Sequence, residues 1–233
     1  MEKKILIFAA TYNEAGNIKN FIEKILELNI NLDLLIIDDN SPDKTWEIVN
    51  NYKKNNKNIV LIKRKGKEGL DTAHKLAFNY AKEHNYNYLV TLDADLSHDP
   101  TKIPDFLDEL KDQPFVIGSR YIKDGKNEMK LKRYILSSVG NKIIKFVLGI
   151  DSDEFTSGYR GFNLKMLNNF DINRISSKGY SFFMETVYLL SAAGYKIKQI
   201  PIRFKDREKG ISKIPKIEIL RTLINLFLLK IKK

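Results

Sequence analysis

Asp93, Asp95 and Asp99 fall within ten residues, TLDADLSHDP at 91–100, directly after the apolar run YLV at 88–90. Two carboxylates spaced two apart on a chain leaving a strand can both approach one divalent ion, and oxygen-only ligation with open positions suits Mg²⁺ or Mn²⁺. Such an ion usually completes its shell with substrate phosphates. A calcium loop is excluded by its own pattern, because the sixth position from Asp93 is His98 rather than glycine and the twelfth is Pro104 rather than glutamate. Asp99, just before Pro100, reads most simply as the N-cap of the following helix. An Asp-x-Asp pair alone is a weak signal, and its position after a strand is what strengthens it.

A second acidic pair, Asp38 and Asp39, follows the run LLII at 34–37. Adjacent carboxylates repel, so a ligand, solvent or backbone donors must offset the repulsion. One could accept hydrogen bonds from a base or ribose while the other caps the turn NSPD. Tyr12, Asn13 and Glu14 add a ring and two polar side chains after the first apolar run. Counter-charges for a phosphorylated ligand are available in Arg64, Lys65, Lys67, Arg120, Arg133, Arg160, Arg203, Arg207 and Lys213. Arginines at strand ends rank first, since a guanidinium meets phosphate oxygens in bidentate fashion. The three histidines are scattered and no cysteine is present, which excludes disulfides, thiolate zinc sites and a Ser-His-Asp hydrolase arrangement.

The elements that must position these residues alternate in type. Runs with strand character at 5–9, 34–37, 59–62, 88–92 and 115–117 are separated by stretches with helical spacing, which argues for βαβ crossovers and a mostly parallel sheet in an α/β domain. Ligands of such sheets sit beyond the carboxyl ends of the strands, and there the loops ATYNEAGN, DDNSPDKT, KRKGKEGLDTAH, DADLSHDP and GSRY are all polar. Further along, helices are expected at 131–148 and in KGYSFFMETVYLLSAAGY, the latter stopping at Gly194 before a strand. No linker separates a second domain, so residues 1–214 form one unit. The tail 215–233 holds an apolar segment, 217–231, shorter than the roughly 20 residues a spanning helix needs. It suits either a helix lying in the headgroup region or one packed on the sheet.

Taken in order, TYNE at 11–14, DDNSPD at 38–43, GKEGL at 66–70, DADLSH at 93–98, GSRY at 118–121, TSGYR at 156–160 and REKGISK at 207–213 resemble glycosyltransferase family 2, and within it the dolichyl or polyprenyl phosphate mannose synthases. The resemblance implies a GT-A (Rossmann-like) nucleotide-sugar transferase fold and an inverting transfer of mannose from GDP-mannose to a lipid phosphate. It implies that Tyr12, Glu14, Asp39, Lys67, Asp93, Arg207 and Lys213 bind the nucleotide sugar and that Asp93 and Asp95 hold Mg²⁺ or Mn²⁺. Arg120, Arg133 and Ser137 match acceptor-phosphate positions, with Asp95 and Arg120 nearest the chemistry. Four positions depart from the pattern: Ala10 for proline, Asp71 for glycine, Ser97 where some relatives carry glutamine, and Glu154 for aspartate.

A net charge of +11 suits an anionic membrane surface from which a polyprenyl phosphate is taken. Met1 to Lys4 leads straight into a short apolar run rather than a leader, so the expected location is the cytoplasmic face of a membrane, peripherally bound. Some relatives carry extra transmembrane helices, which leaves room for a separate membrane-anchoring subunit. Three alternatives compete: a UDP-sugar transferase of the same fold, a catalytically inactive membrane adaptor, and a basic nucleic-acid-binding domain. Against the last, the carboxylates cluster where a ligand should sit and no nucleic-acid motif is present, so no nucleic-acid partner is expected.

Overall fold

The structure, a computed structural model, describes residues 4–205 and 217–231. The chain runs β1 (Ile5–Thr11), α1 (Ile18–Leu26), β2 (Asp33–Asp38), α2 (Thr45–Asn55), β3 (Ile59–Lys63), α3 (Leu70–Glu83), β4 (Tyr88–Thr91), α4 (Ile103–Glu109), β5 (Phe115–Ser119), β6 (Lys126–Asn127), α5 (Leu131–Leu148), β7 (Arg160–Asn163), α6 (Ser181–Ala192), β8 (Ile197–Pro201), β9 (Arg203–Phe204) and α7 (Ile217–Ile231).

A seven-stranded sheet has the order β3-β2-β1-β4-β7-β5-β8. Only β7 runs antiparallel to its neighbours within it. Alternation along each strand feeds two cores, because successive side chains point to opposite faces. Leu6 and Phe8 of β1 join Ala77 and Phe78 of α3 and Phe182 and Phe183 of α6, whereas Ile7 and Ala9 join Phe21 and Ile22 of α1 and Phe106 of α4. Burial on both faces is why these strands read as unbroken apolar runs.

Two sequence expectations are refined. The segment KIKQIPIRF is not one strand: β8 ends at Pro201, and β9 leaves the sheet to pair with β6. The reversed strand β7, RGFN, was not anticipated. It carries the chain between β4 and β5, and its reversal brings the preceding residues, 154–159, to the edge where the parallel strands end.

Helices α5 and α7 pack against each other beside this edge. α5 buries Asn141, Ile144 and Leu148, but turns Leu131, Ile135, Leu136, Val139, Ile143 and Phe146 outward, the last 89% exposed. At about 100° per residue these six cover an arc roughly 140° wide. α7 sends Leu226 and Leu229 into the core while exposing Leu223, Ile224, Phe227, Leu228 and Ile231. Arg221 and Lys230, both exposed, flank that stripe. α7 thus packs on the domain and still presents an apolar side. Among the described residues no helix is long and apolar enough to cross a membrane.

Candidate active site

The strand order reverses between β1 and β4, and the crevice outside such a switch point is where open α/β sheets bind ligands. The loops on either side are laced together. Asp38 is fully buried and accepts from Thr11 Oγ1 at 2.7 Å, Ser41 N at 2.8 Å and Ser41 Oγ at 2.6 Å, so it is the carboxylate that caps NSPD. Asn13, in the left-handed region at φ 57°, donates its N–H to Ser41 Oγ at 3.0 Å, and Glu14 N donates to Thr45 Oγ1 at 2.9 Å. Asp39 is buried against the Arg64 guanidinium and accepts from Gly69 N at 3.2 Å. Burial pushes the Asp39 carboxyl up, with the Arg64 charge opposing. Arg64 also donates to Thr72 Oγ1 at 2.5 Å and Gly69 O at 2.9 Å. These bonds close the Gly-containing loop, in which Gly69 has a φ of +102° that side chains strongly resist. Lys67 lies over the Tyr12 ring at 4.4 Å.

The turn after β4 holds its two carboxylates differently. Asp93 is 41% exposed at its side chain, whereas Asp95 is buried and accepts from Ser97 N at 3.0 Å. Between them and Ser97 the chain passes through Leu96 in the left-handed region at φ 63°, a conformation bulky residues avoid and one found at functional turns. His98 is buried, and its Nδ1 lies 3.3 Å from Asp93 N and 3.4 Å from Asp93 Oδ2, tying the ring to both the backbone and the carboxylate of Asp93. Gly158 lies so close that a Cβ there would stand 3.0 Å from Asp93 Oδ1. Among the described residues no group of three His, Cys, Asp or Glu side chains could encage a metal. Asp93 and Asp95, two hard carboxylates on one turn, are chemically suited to Mg²⁺ or Mn²⁺ shared with substrate oxygens rather than to an all-protein cage.

At the end of β5, Arg120 donates from Nε to Glu154 Oε2 at 2.9 Å and from Nη2 to Glu154 Oε1 at 3.2 Å. Burial pushes the Glu154 carboxyl up, but the Arg120 charge and the surrounding donors outweigh it and hold it below the usual range. Burial likewise opposes the Arg120 charge, and Glu154 more than restores it. Arg120 lies 4.7 Å and Arg133 5.9 Å from the centre of the Phe204 ring, so two guanidinium groups meet at one aromatic platform. Ser137 accepts from Tyr121 OH at 2.7 Å, tying α5 to the GSRY loop.

The family model described as "Glycosyl transferase family 2" matches residues 6–170 of this architecture. The chain belongs to glycosyl transferase family 2. Among curated relatives, an undecaprenyl-phosphate mannosyltransferase from Micrococcus luteus is 31% identical over 91% of this chain and 87% of its own. A polyprenol monophosphomannose synthase from Mycolicibacterium smegmatis is 30% identical over 91% of this chain and 81% of its own. Among solved structures, the mannosyltransferase PcManGT from Pyrobaculum calidifontis, in complex with GDP-Man and Mn²⁺, superposes with a TM-score of 0.64 at 16% identity, covering 100% of this chain and 65% of that one. Glucosyl-3-phosphoglycerate synthase from Mycobacterium tuberculosis, with Mn²⁺ and UDP, gives 0.69 at 15% identity over 98% of this chain and 80% of its own. These neighbours share the GT-A fold.

In this family 2 glycosyltransferase, Tyr12, Glu14, Asp39, Lys67, Asp93 and Asp95 all lie on loops at one end of the sheet, whereas Arg120 follows β5 and Arg133 and Ser137 lie on the first turns of α5. Arg207 and Lys213 lie outside the described residues. Asp99 caps the turn beginning at Pro100, accepting from Thr101 N at 3.0 Å. The departures acquire partners: Asp71 is buried and its Oδ1 accepts from Gly179 N at 3.0 Å, pinning the start of α3 to the loop before α6. Two side chains that sequence reasoning gave no role, His98 and Thr156, contact or brace the site; for His98 the signal was its place inside DADLSH. Arg160, expected among the counter-charges for a ligand, is instead buried and donates to the carbonyls of Ser157 and Phe155.

Proposed function

We propose that this enzyme transfers mannose from GDP-mannose to a polyprenyl phosphate, with inversion, at the cytoplasmic face of a membrane. The observation that carries the reading is that His98, bonded to Asp93 in the acidic turn, packs at 5.4 Å on the Phe204 ring beside which Arg120 and Arg133 lie. A divalent cation held by Asp93 and Asp95 would supply Lewis-acid stabilisation of the charge on the departing nucleoside diphosphate. Tyr12, Glu14, Asp39 and Lys67 bind the nucleotide sugar, and by the family pattern Arg207 and Lys213 contribute to it too. Arg120 and Arg133 orient the acceptor phosphate, and the Ser137 hydroxyl assists them. A phosphate monoester has a second pKa of about 6, so its attacking oxygen is already anionic at neutral pH and needs no strong base. The residues therefore act chiefly by aligning two anions that otherwise repel. Asp95 assists at the reacting centre without serving as an obligatory base.

The names of the curated relatives support the lipid phosphate acceptor, and the Pyrobaculum complex supports GDP-mannose. The outward apolar faces of α5 and α7, edged by Arg221 and Lys230, support peripheral binding to an anionic bilayer, with any membrane-anchoring subunit a separate partner. A UDP-sugar donor is the second reading, favoured by the UDP complex of the mycobacterial neighbour. The deciding assay incubates the purified chain with undecaprenyl phosphate vesicles, Mn²⁺ and radiolabelled GDP-mannose or UDP-glucose. Labelled lipid from GDP-mannose alone, abolished by EDTA, is the expected result. Labelled lipid from UDP-glucose alone would replace the donor, and no labelled lipid from either would overturn the transferase reading.

A further inference from the structure

We infer that Glu154 is a positioning residue for the acceptor phosphate, acting through Arg120, and that the turn from Glu154 to Gly158 sets the spacing between the acceptor and donor halves of the site. The inference rests on the reading of Arg120 as an acceptor ligand. Glu154 is fully buried, yet it touches no residue of the donor loops among its recorded bonds. Its carboxylate is saturated from two directions. Arg120 occupies one side through Nε and Nη2. Thr156 N at 3.0 Å, Thr156 Oγ1 at 2.9 Å and Ser157 N at 3.1 Å all donate to Oε1 from the turn itself. A carboxylate so held has no rotameric freedom, and the guanidinium it grips by one edge inherits that order.

The turn is in turn fastened to three elements. Asn141 of α5 accepts Phe155 N at 2.8 Å. Arg160, wholly buried at the start of β7, donates to Ser157 O at 2.7 Å and Phe155 O at 2.8 Å. Thr91, the last residue of β4, donates its hydroxyl to Gly158 O at 2.7 Å, and Gly158 abuts the Asp93 carboxylate. Five consecutive residues therefore grip Arg120 at one end and pack against Asp93 at the other. Because Glu154 and Thr156 occupy Nε and Nη2, Nη1 is the nitrogen of Arg120 left for an incoming phosphate. The longer reach of glutamate relative to the aspartate of the family pattern fits this role, since the carboxylate must span from the turn to a guanidinium on a neighbouring strand end.

The test is a double-mutant cycle with the nucleotide sugar that the transfer assay identifies, varying a short-chain polyprenyl phosphate. Wild type, R120Q, E154Q and the double variant are compared, and GDP or UDP binding with Mn²⁺ is titrated for each. R120Q should raise the acceptor KM by about 100-fold and E154Q by about tenfold, since small misplacements of an orienting group carry costs of this order. In the R120Q background E154Q should add nothing, and nucleotide Kd should change by less than about twofold throughout. Should E154Q fold poorly, T156V keeps the carboxylate and removes a hydroxyl bonded to both partners. It should raise acceptor KM less than E154Q, and again only when Arg120 is present. Equal effects of E154Q in both backgrounds, or a parallel loss of nucleotide binding, would overturn the inference while leaving Arg120 its role. An unchanged acceptor KM in R120Q would remove the acceptor reading itself, and this inference with it.

Discussion

His74 offers a quantitative test of how the core is built beneath the site. Its ring sits among Phe8, Phe182 and Phe183 at centroid distances of 5.0, 5.6 and 5.0 Å. Burial, assisted by the Arg160 charge, lowers its pKa from 6.5 to about 3. The unfolded chain therefore binds a proton through the range where the folded protein does not, and stability must fall as pH drops below 6.5. The contribution is complete above the unfolded pKa and is lost progressively down to the folded one. Between pH 7.5 and 5.0 linkage gives about 2 kcal/mol. Because pH 5.0 lies well above the folded value, this figure depends almost wholly on the unfolded pKa. His74→Phe keeps an aromatic ring in the box and removes the titration. Urea unfolding of both proteins at the two pH values should show the wild type losing about 2 kcal/mol more than the variant. An identical pH loss in the two proteins would refute the account, since every other titrating group is common to both.

Three further outcomes are expected. If Asp95 holds the cation as proposed, Asp95→Asn should weaken Mn²⁺-dependent nucleotide binding by about 100-fold in calorimetry, while nucleotide binding measured in EDTA stays unchanged. Phe146→Asp combined with Ile135→Asp should abolish co-flotation with phosphatidylglycerol vesicles without altering circular dichroism or activity toward a detergent-dispersed acceptor, since both side chains point outward. Gly69→Ala should destabilise the chain by about 1–2 kcal/mol in denaturant titration, because a side chain is strained at its φ of +102°.

The parallel half of the fold was legible because β1, β2, β4 and β5 bury both faces, and the half-buried edge strand β3 is also apolar, so each appears as an apolar run closed by a polar loop. Helices α5 and α7 were legible to the residue from their 131–148 and 217–231 patterns. The strand β7 was not, for RGFN has neither length nor alternation. Only hydrogen bonding to β4 and β5, contributed by distant segments, makes it a strand. The same non-locality hid the partner of Arg120, which lies 34 residues away. Arg64 beside Asp39 is an intermediate case: a βαβ crossover commonly joins neighbouring strands, and had β2 and β3 been paired on that ground, an arginine ending one could have been matched to an aspartate ending the other. The outward face of α5 escaped for a different reason. Apolar residues surround that helix, so periodicity announces a helix without saying which side meets the domain.

The reversal of β7 also bears on how such an enzyme can change. The acidic loops proposed for the donor, which carry Glu14, Asp39, Asp93 and Asp95, precede residue 100, whereas Arg120, Arg133, Ser137 and Glu154 follow 114. Apart from Arg207 and Lys213, the proposed site residues are thus split along the gene as donor then acceptor. A single recombination within the α4–β5 connection would pair the first half of one enzyme with the second half of another. What such a hybrid must preserve is the ladder joining the halves, Tyr88 opposite Asn163 through Thr91 opposite Arg160. Where that four-residue seam closes, a new acceptor corner could be inherited with the acidic donor loops unchanged.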